Sequence, residues 1–236
     1  MSTILDLVEA IKHLPGRHDQ YTHNPHKGAG KGSGASAATT GSVPSSISKQ
    51  PYTSFDNADR AHEWMTVNED KPKTDSEAGK VQGYIESGFI NMNRLLRGQE
   101  LREGYGEKPE IKSYIKAVGA YVARNQLPED LVLWRGTRSD MLTKAIESGQ
   151  DLVGTTITDK GFKSCSLLRS VSATPTFLKE DNSVIFEIHA PKGATGAITD
   201  NRKEAEVILP PSTNYKIMEV HKEKDGASVI VVELVQ

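Results

Sequence analysis

The sequence predicts an α+β fold in which N-terminal helices pack on a mainly antiparallel two-sheet β core. Three observations carry this. Apolar residues recur at helical spacing only before Pro128, and after it they fall into short apolar or alternating runs of strand length. The last two runs flank Asp225-Gly226, a turn pair that joins neighbouring antiparallel strands. Helices first and strands afterwards exclude the alternating strand–helix units of a parallel sheet.

Ile4, Leu5, Val8 and Ile11 give residues 1–14 the pattern of a short amphipathic helix, stopped by Pro15-Gly16. Residues 15–53 are rich in Gly, Ser, Ala, Thr and His and offer almost nothing large to bury, so they read as a flexible linker. His13, His18, His23 and His26 lie in or beside it, but a metal site needs a rigid frame that this segment does not supply. The globular domain is expected over residues 54–236. Asp56 is placed to cap a helix over residues 57–67. A second helix follows Asp75, with Val81, Ile85, Met92 and Leu96 on one face, and ends near Gly98. A third carries Ile111, Ile115, Val118 and Val122. Strands are predicted over residues 131–137, 161–167, 183–189, 204–209, 215–222 and 227–234.

With 29 Lys+Arg against 31 Asp+Glu, the net charge of -2 gives no general attraction to nucleic acid or anionic lipid, so no nucleic-acid partner is indicated. Cys165 is the single cysteine, which excludes an intrachain disulfide and suits a reducing compartment. The first residues carry Asp6 and Glu9 within their apolar pattern and do not read as a secretory signal, and no apolar run is long enough for a membrane helix. A protein acting in a cytoplasm is the expectation. No Gly-rich phosphate loop is present in the sequence.

Three small motifs carry chemistry. Arg135-Gly136 closes an apolar strand: a guanidinium there can pair with a diphosphate, and glycine admits a ligand close to the backbone. Alone, it equally fits a solvated charge at an ordinary turn. Ser164 and Ser166 are two apart on a strand and so share a face, where they can orient a carboxylate or a ribose, or simply satisfy backbone groups. Glu204 and Glu206 are likewise two apart at the mouth of an apolar strand, which predicts side-by-side carboxylates. A fixed carboxylate stabilises a sugar on which positive charge develops as its glycosidic bond breaks, whereas the same pair on an edge strand would only discourage aggregation.

In this order the motifs resemble the mono-ADP-ribosyltransferases of the arginine, Ser-x-Ser, Glu-x-Glu class, among them clostridial actin-modifying toxins and phage enzymes that modify host proteins. The run from Tyr84 to Arg97 is similar to the family's helix of form Tyr-x4-aromatic-x3-Asn-x2-Leu-Arg, and Leu127-Pro128-Glu129-Asp130 and Leu209-Pro210 also fit. The likeness covers about residues 60–236. It implies the ADP-ribosyltransferase fold and an enzyme that uses NAD as a substrate. It further implies that Arg135 holds the NAD diphosphate, that the Gly136 backbone receives the nicotinamide amide, and that Ser164 positions Glu206 against the ribose. Ser166 belongs with the residues facing NAD. Glu204 marks transfer to arginine, Tyr84, Phe89 and Asn93 line the cleft, and Phe177 packs near the nicotinamide. The acceptor is then a host protein met in the host-cell cytoplasm, and no metal is needed, because water need not be activated when the sugar cation forms first.

Two departures stand out: Cys165 replaces the usual threonine between the serines, and no aromatic residue lies between Ile198 and Glu204. Other readings are an NAD glycohydrolase, a transferase to another residue or to RNA, and a non-catalytic phage structural or binding module. Retention of Arg135, both serines and both glutamates speaks against the last, since a scaffold has no physical need for all five.

Overall fold

The computed structural model describes residues 52–104, 106–138, 140–174, 183–223 and 227–235. The expected helix over residues 1–14, nearly all of the expected linker, Phe177 and the Asp225-Gly226 turn lie outside them.

Helix α1 spans Ala58–Asn68. Its cap is Asn57, one residue later than the sequence suggested: extended at φ -140°, Asn57 accepts the Arg60 N–H at 3.0 Å. Helix α2, Asp75–Gly83, is capped by the Thr74 side chain. It runs without a break into a π turn, Tyr84–Gly88, and then α3, Phe89–Leu96. The sequence reads this stretch as one regular helix. The wider turn fits because a Cβ on Gly88 would lie 2.7 Å from the Gly83 carbonyl oxygen, so only glycine allows the two backbones to approach there. Helix α4, Lys108–Ala123, starts with Pro109 in its first turn, where a missing N–H costs nothing.

The strands are β1 (Leu131–Arg138), β2 (Thr156–Asp159), β3 (Lys163–Ser166), β4 (Ser183–Ala190), β5 (Ala197–Ile198), β6 (Glu206–Leu209), β7 (Thr213–Lys222) and β8 (Ser228–Val235). Helix α5, Asp140–Glu147, follows β1, and the single turn α6, Arg169–Ser172, follows β3. The strands order as β2-β7-β8-β4-β1-β3-β6-β5, and every pair is antiparallel except β4 with β8. Helices first and a mainly antiparallel core after them therefore hold. The two expected sheets are continuous through a single register pair, Trp134↔Ser166, which joins β1 to β3.

Two apolar clusters explain the layering. One joins Ala61 and Met65 of α1 and Leu142 and Ala145 of α5 to Leu131, Leu133, Cys165, Val207 and Leu209 of the sheet. The other packs Val81, Tyr84, Met92, Ile111 and Val118 of the helices against Phe162, Ala197 and Ile208. In β6 the alternation divides Val207 and Leu209 from Ile208, so Glu206 shares the side of Ile208, toward the helices. Ahead of α1, Thr53 pairs with Leu131, and Tyr52 stacks on His189 at 4.7 Å.

Candidate active site

The site forms where β1, β3 and β6 meet the π turn. β1 and β3 share the register pair Trp134↔Ser166, and beside it Arg135 Nη1 donates to the Ser164 carbonyl at 2.5 Å. The guanidinium is thereby fixed at the strand junction while remaining half-buried. Gly136 follows it in β1, opposite Ile185 of β4.

On β3, alternation sends Cys165 into the sheet core and both serines to the other side, as read from the sequence. Cys165 is buried, which pushes its thiol up to about 11, so the replacement of threonine leaves the serine side unchanged. The Ser164 hydroxyl hydrogen-bonds the Glu206 carboxyl and lies 3.4 Å from the hydroxyl of Tyr84. Ser166 is spent differently. Its hydroxyl donates to the Glu204 carbonyl at 2.6 Å and accepts the Leu168 N–H at 2.9 Å, so it fastens the loop that carries Glu204.

Glu204 and Glu206 are not neighbours on a strand, contrary to the sequence expectation. Strand β6 begins only at Glu206, and Glu204 belongs to the turn before it. Between them Ala205 has φ +44°, a left-handed conformation that reverses the usual alternation. Three hydrogen bonds hold the kink: Leu167 N–H to the Ala205 carbonyl at 3.0 Å, Ala205 N–H to Arg202 at 3.2 Å, and the Ser166 bond to Glu204. Glu206 is consequently 2% exposed, while Glu204 is half-buried. Burial, reinforced by the charge of Glu204, pushes the Glu206 carboxyl up to about 7 against the opposing hydrogen bonds from Ser164, Thr199 and Asn201. Burial also raises Glu204, and the Arg135 guanidinium works against that rise.

The turn between β5 and β6 is braced by α1 and the loop after it. His62 Nε2 meets the Arg202 carbonyl at 2.8 Å, the Arg202 guanidinium donates to Glu69 at 2.6 Å, and Asp70 exchanges two bonds with Ile198, at 2.8 and 2.9 Å. None of these contacts is visible in a motif.

Of the three positions on the helix similar to the family's cleft-lining helix, only Phe89 is exposed, and it meets Tyr84 edge-on at 6.3 Å. Tyr84 is fully buried, and Asn93 spends its amide on the Phe162 backbone, accepting the N–H at 2.7 Å and donating to the carbonyl at 3.3 Å. Next to Asn93, Arg97 binds both Asp159 oxygens at 2.8 Å, and Lys163 lies 3.2 Å from the same carboxylate. Burial acts to raise Asp159, but the Arg97 hydrogen bonds and the Lys163 charge outweigh it and hold the carboxyl below the usual range. Burial pushes Lys163 down to about 8 against the attraction of Asp159. This knot fixes α3 to the start of β3, and with it the height of Ser164. Among the described residues no group of three or more His, Cys, Asp or Glu side chains is arranged to hold a metal, and no helix is long and apolar enough to cross a membrane.

A buried glutamate beside a serine, an arginine on that serine's neighbouring strand and a second, half-buried glutamate form an arrangement whose chemistry suits breaking a glycosidic bond at an anionic nucleotide. Residues 48–236 match the family model described as ADP-ribosyltransferase exoenzyme, and the chain belongs to that family. Solved structures share the fold at low identity. The ADP-ribosylating toxin BECa of a C. perfringens binary enterotoxin, solved with NADH, aligns with TM-score 0.65 and 20% identity over 76% of this chain and 49% of its own. This chain thus spans about half the length of BECa. The C3 exoenzyme of Clostridium limosum gives 0.63 and 19% over 79% of this chain and 98% of its own. Vis of Vibrio splendidus, in complex with agmatine, gives 0.61 and 21% over 76% and 83%. No curated protein matches the sequence.

Proposed function

We propose that this protein transfers ADP-ribose from NAD to an arginine of an acceptor protein and releases nicotinamide. The observation that carries the reading is the division of labour between the two glutamates: Glu206 buried and held by Ser164, Glu204 half-buried on the adjoining turn and facing the charge of Arg135. Family membership and the NAD-bound or NADH-bound neighbours support the donor. The agmatine bound to Vis carries a guanidinium, which is the group an arginine acceptor presents.

In this reading Arg135 pairs with the NAD diphosphate and the Gly136 backbone receives the nicotinamide amide. The glycosidic C–N bond breaks with its electron pair going to nicotinamide, which leaves neutral. Positive charge develops on the ribose beside the ionised Glu206, so the carboxylate stabilises the transition state more than the ground state. An arginine nitrogen then bonds to the anomeric carbon, and its proton passes to Glu204. Phe89 offers its exposed ring at the cleft, while Tyr84 and Asn93 act from behind, on Ser164 and on Phe162. The setting that fits is a phage or bacterial effector modifying a host protein in the host cytoplasm.

The test is incubation with labelled NAD and a bacterial or eukaryotic lysate, then mass spectrometry of modified residues, with Glu206→Gln as control. ADP-ribosylated arginines that vanish in the control are expected. Free ADP-ribose alone would replace transfer with hydrolysis, and intact NAD would overturn the enzymatic reading.

A further inference from the structure

A carboxyl group that is 2% exposed needs more than one donor to remain ionised and fixed, and Ser164 accounts for only one of them. The remaining donors come from the turn between β5 and β6. We propose that Thr199 and Asn201 are positioning residues for Glu206, which with Ser164 lock its carboxyl in one orientation at the cleft. The proposal rests on the reading of Glu206 as the glutamate that faces the ribose.

Thr199 is 1% exposed, and its hydroxyl lies 3.2 Å from Glu206 Oε2. The Thr199 hydroxyl oxygen itself accepts the Asn201 N–H at 3.2 Å, which occupies a lone pair and leaves the hydroxyl proton to point at Glu206. The Glu206 carbonyl, at 3.4 Å, shares that proton at longer range. The Asn201 side chain adds a further hydrogen bond to the carboxyl. Backbone bonds fix the relation from both sides: Thr199 N–H to the Glu206 carbonyl at 3.1 Å, and Glu206 N–H to the Asn201 carbonyl at 3.2 Å. Asp70, by bonding both backbone groups of Ile198, anchors Thr199 to the loop after α1. The turn therefore frames one carboxyl with Thr199 and Asn201, opposite Ser164 on strand β3. Each donor favours the ionised form, which is the form the chemistry requires.

The charged and titratable groups around Glu206 are Glu204 on its own turn, Tyr84 from the π turn and Cys165 from β3, with Arg135 of β1 acting on Glu204 and Tyr84. None of them is altered by substituting Thr199 or Asn201, so a change in Glu206 titration in those variants reports the lost donor.

The experiment uses the full chain as wild type, Thr199→Val, Thr199→Ser and Asn201→Ala, with the valine change repeated in Glu206→Gln. Two readouts are followed across pH: thermal unfolding, and kcat/KM for NAD cleavage. In Thr199→Val both the pH at which stability levels off and the rise of kcat/KM are expected to move up by about one unit, the loss of one hydrogen bond to a charged group. kcat should fall more than KM rises, and Thr199→Ser should restore the wild-type profile. In the Glu206→Gln background the valine change should leave the pH dependence of unfolding unmoved. An unshifted Thr199→Val profile, or a shift that persists without Glu206, overturns the proposal. Should Thr199→Val not fold, Asn201→Ala decides by the same shift. If the wild type proves unable to cleave NAD, the proposed function fails while the unfolding titration still decides whether Thr199 holds Glu206.

Discussion

The Ser166 hydroxyl donates to the backbone carbonyl of Glu204 at 2.6 Å, so the second serine of the Ser-x-Ser pair holds the loop of one glutamate while the first holds the side chain of the other. Ser166→Ala should therefore impair transfer to an acceptor more than NAD cleavage. It leaves the buried Leu168 N–H and the half-buried Glu204 carbonyl each short of a partner and should cost about 1–3 kcal/mol of stability. Comparing the two activities in one preparation checks this, with Glu204→Gln expected to show the same split more strongly. Equal loss of both activities in Glu204→Gln would count against separate roles for the glutamates.

Glu206 makes the protein less stable as pH rises. Its folded value of about 7 lies above the ordinary 4.5, so the neutral form is favoured in the fold. That contribution is complete below the ordinary value and is lost as pH climbs through about 7. Glu206→Gln should abolish transfer and NAD cleavage. At pH 8 it should exceed wild type in stability by on the order of 3 kcal/mol more than it does at pH 4, read from denaturant titrations.

NAD cleavage by the wild type should rise with pH through about 7, because only the ionised Glu206 meets the positive charge on the ribose. Glu204 contributes to the raised value, so the rise should move to lower pH in Glu204→Gln. A flat kcat/KM profile between pH 5 and 8 would argue against Glu206 as the charge-stabilising group.

Asp159 partners two buried cations. Asp159→Asn leaves Arg97 and Lys163, each with a side chain 4% exposed, without their carboxylate, and should cost about 3–5 kcal/mol. Because the folded carboxyl sits below its ordinary range, its contribution is present above that range and lost as pH falls through the folded value. The acid limb of wild-type unfolding should consequently be shallower in the variant.

Gly88→Ala tests the π turn. A methyl group 2.7 Å from the Gly83 carbonyl oxygen and from the end of Met92 forces the backbone apart, at about 1–3 kcal/mol. Tyr84 should withdraw from Ser164, lowering NAD cleavage while far-ultraviolet circular dichroism stays near wild type.

Arg135→Ala should weaken NAD binding about ten- to hundredfold, the loss of a charge-assisted contact to a diphosphate, as measured by calorimetry. Unchanged affinity would refute the placement of the diphosphate.

Local pattern alone determined a good deal about this protein. Periodicity is a property of neighbouring residues, so the helices around Met65, Met92 and Val118 and six of the strands could be read directly, and alternation correctly placed Ser164 and Ser166 together with Cys165 behind them. The four-residue β2, the two-residue β5 and the single-turn α6 gave too little periodicity to detect, and the eight-residue α5 is not among the helices read from the sequence although its pattern is helical. Thr199 and Asn201 carry only the ordinary composition of a turn after the apolar Ala197-Ile198, and became site residues because β5 pairs with β6. The separation of Glu204 from Glu206 likewise depends on the left-handed Ala205, which is held by Leu167 and Ser166 from a strand far away in sequence. Residue type and spacing record which groups are available. Which of them is buried, which faces outward and which carries a raised affinity for protons are decided by long-range contacts that set each group's solvation, and these exist only once the chain has folded.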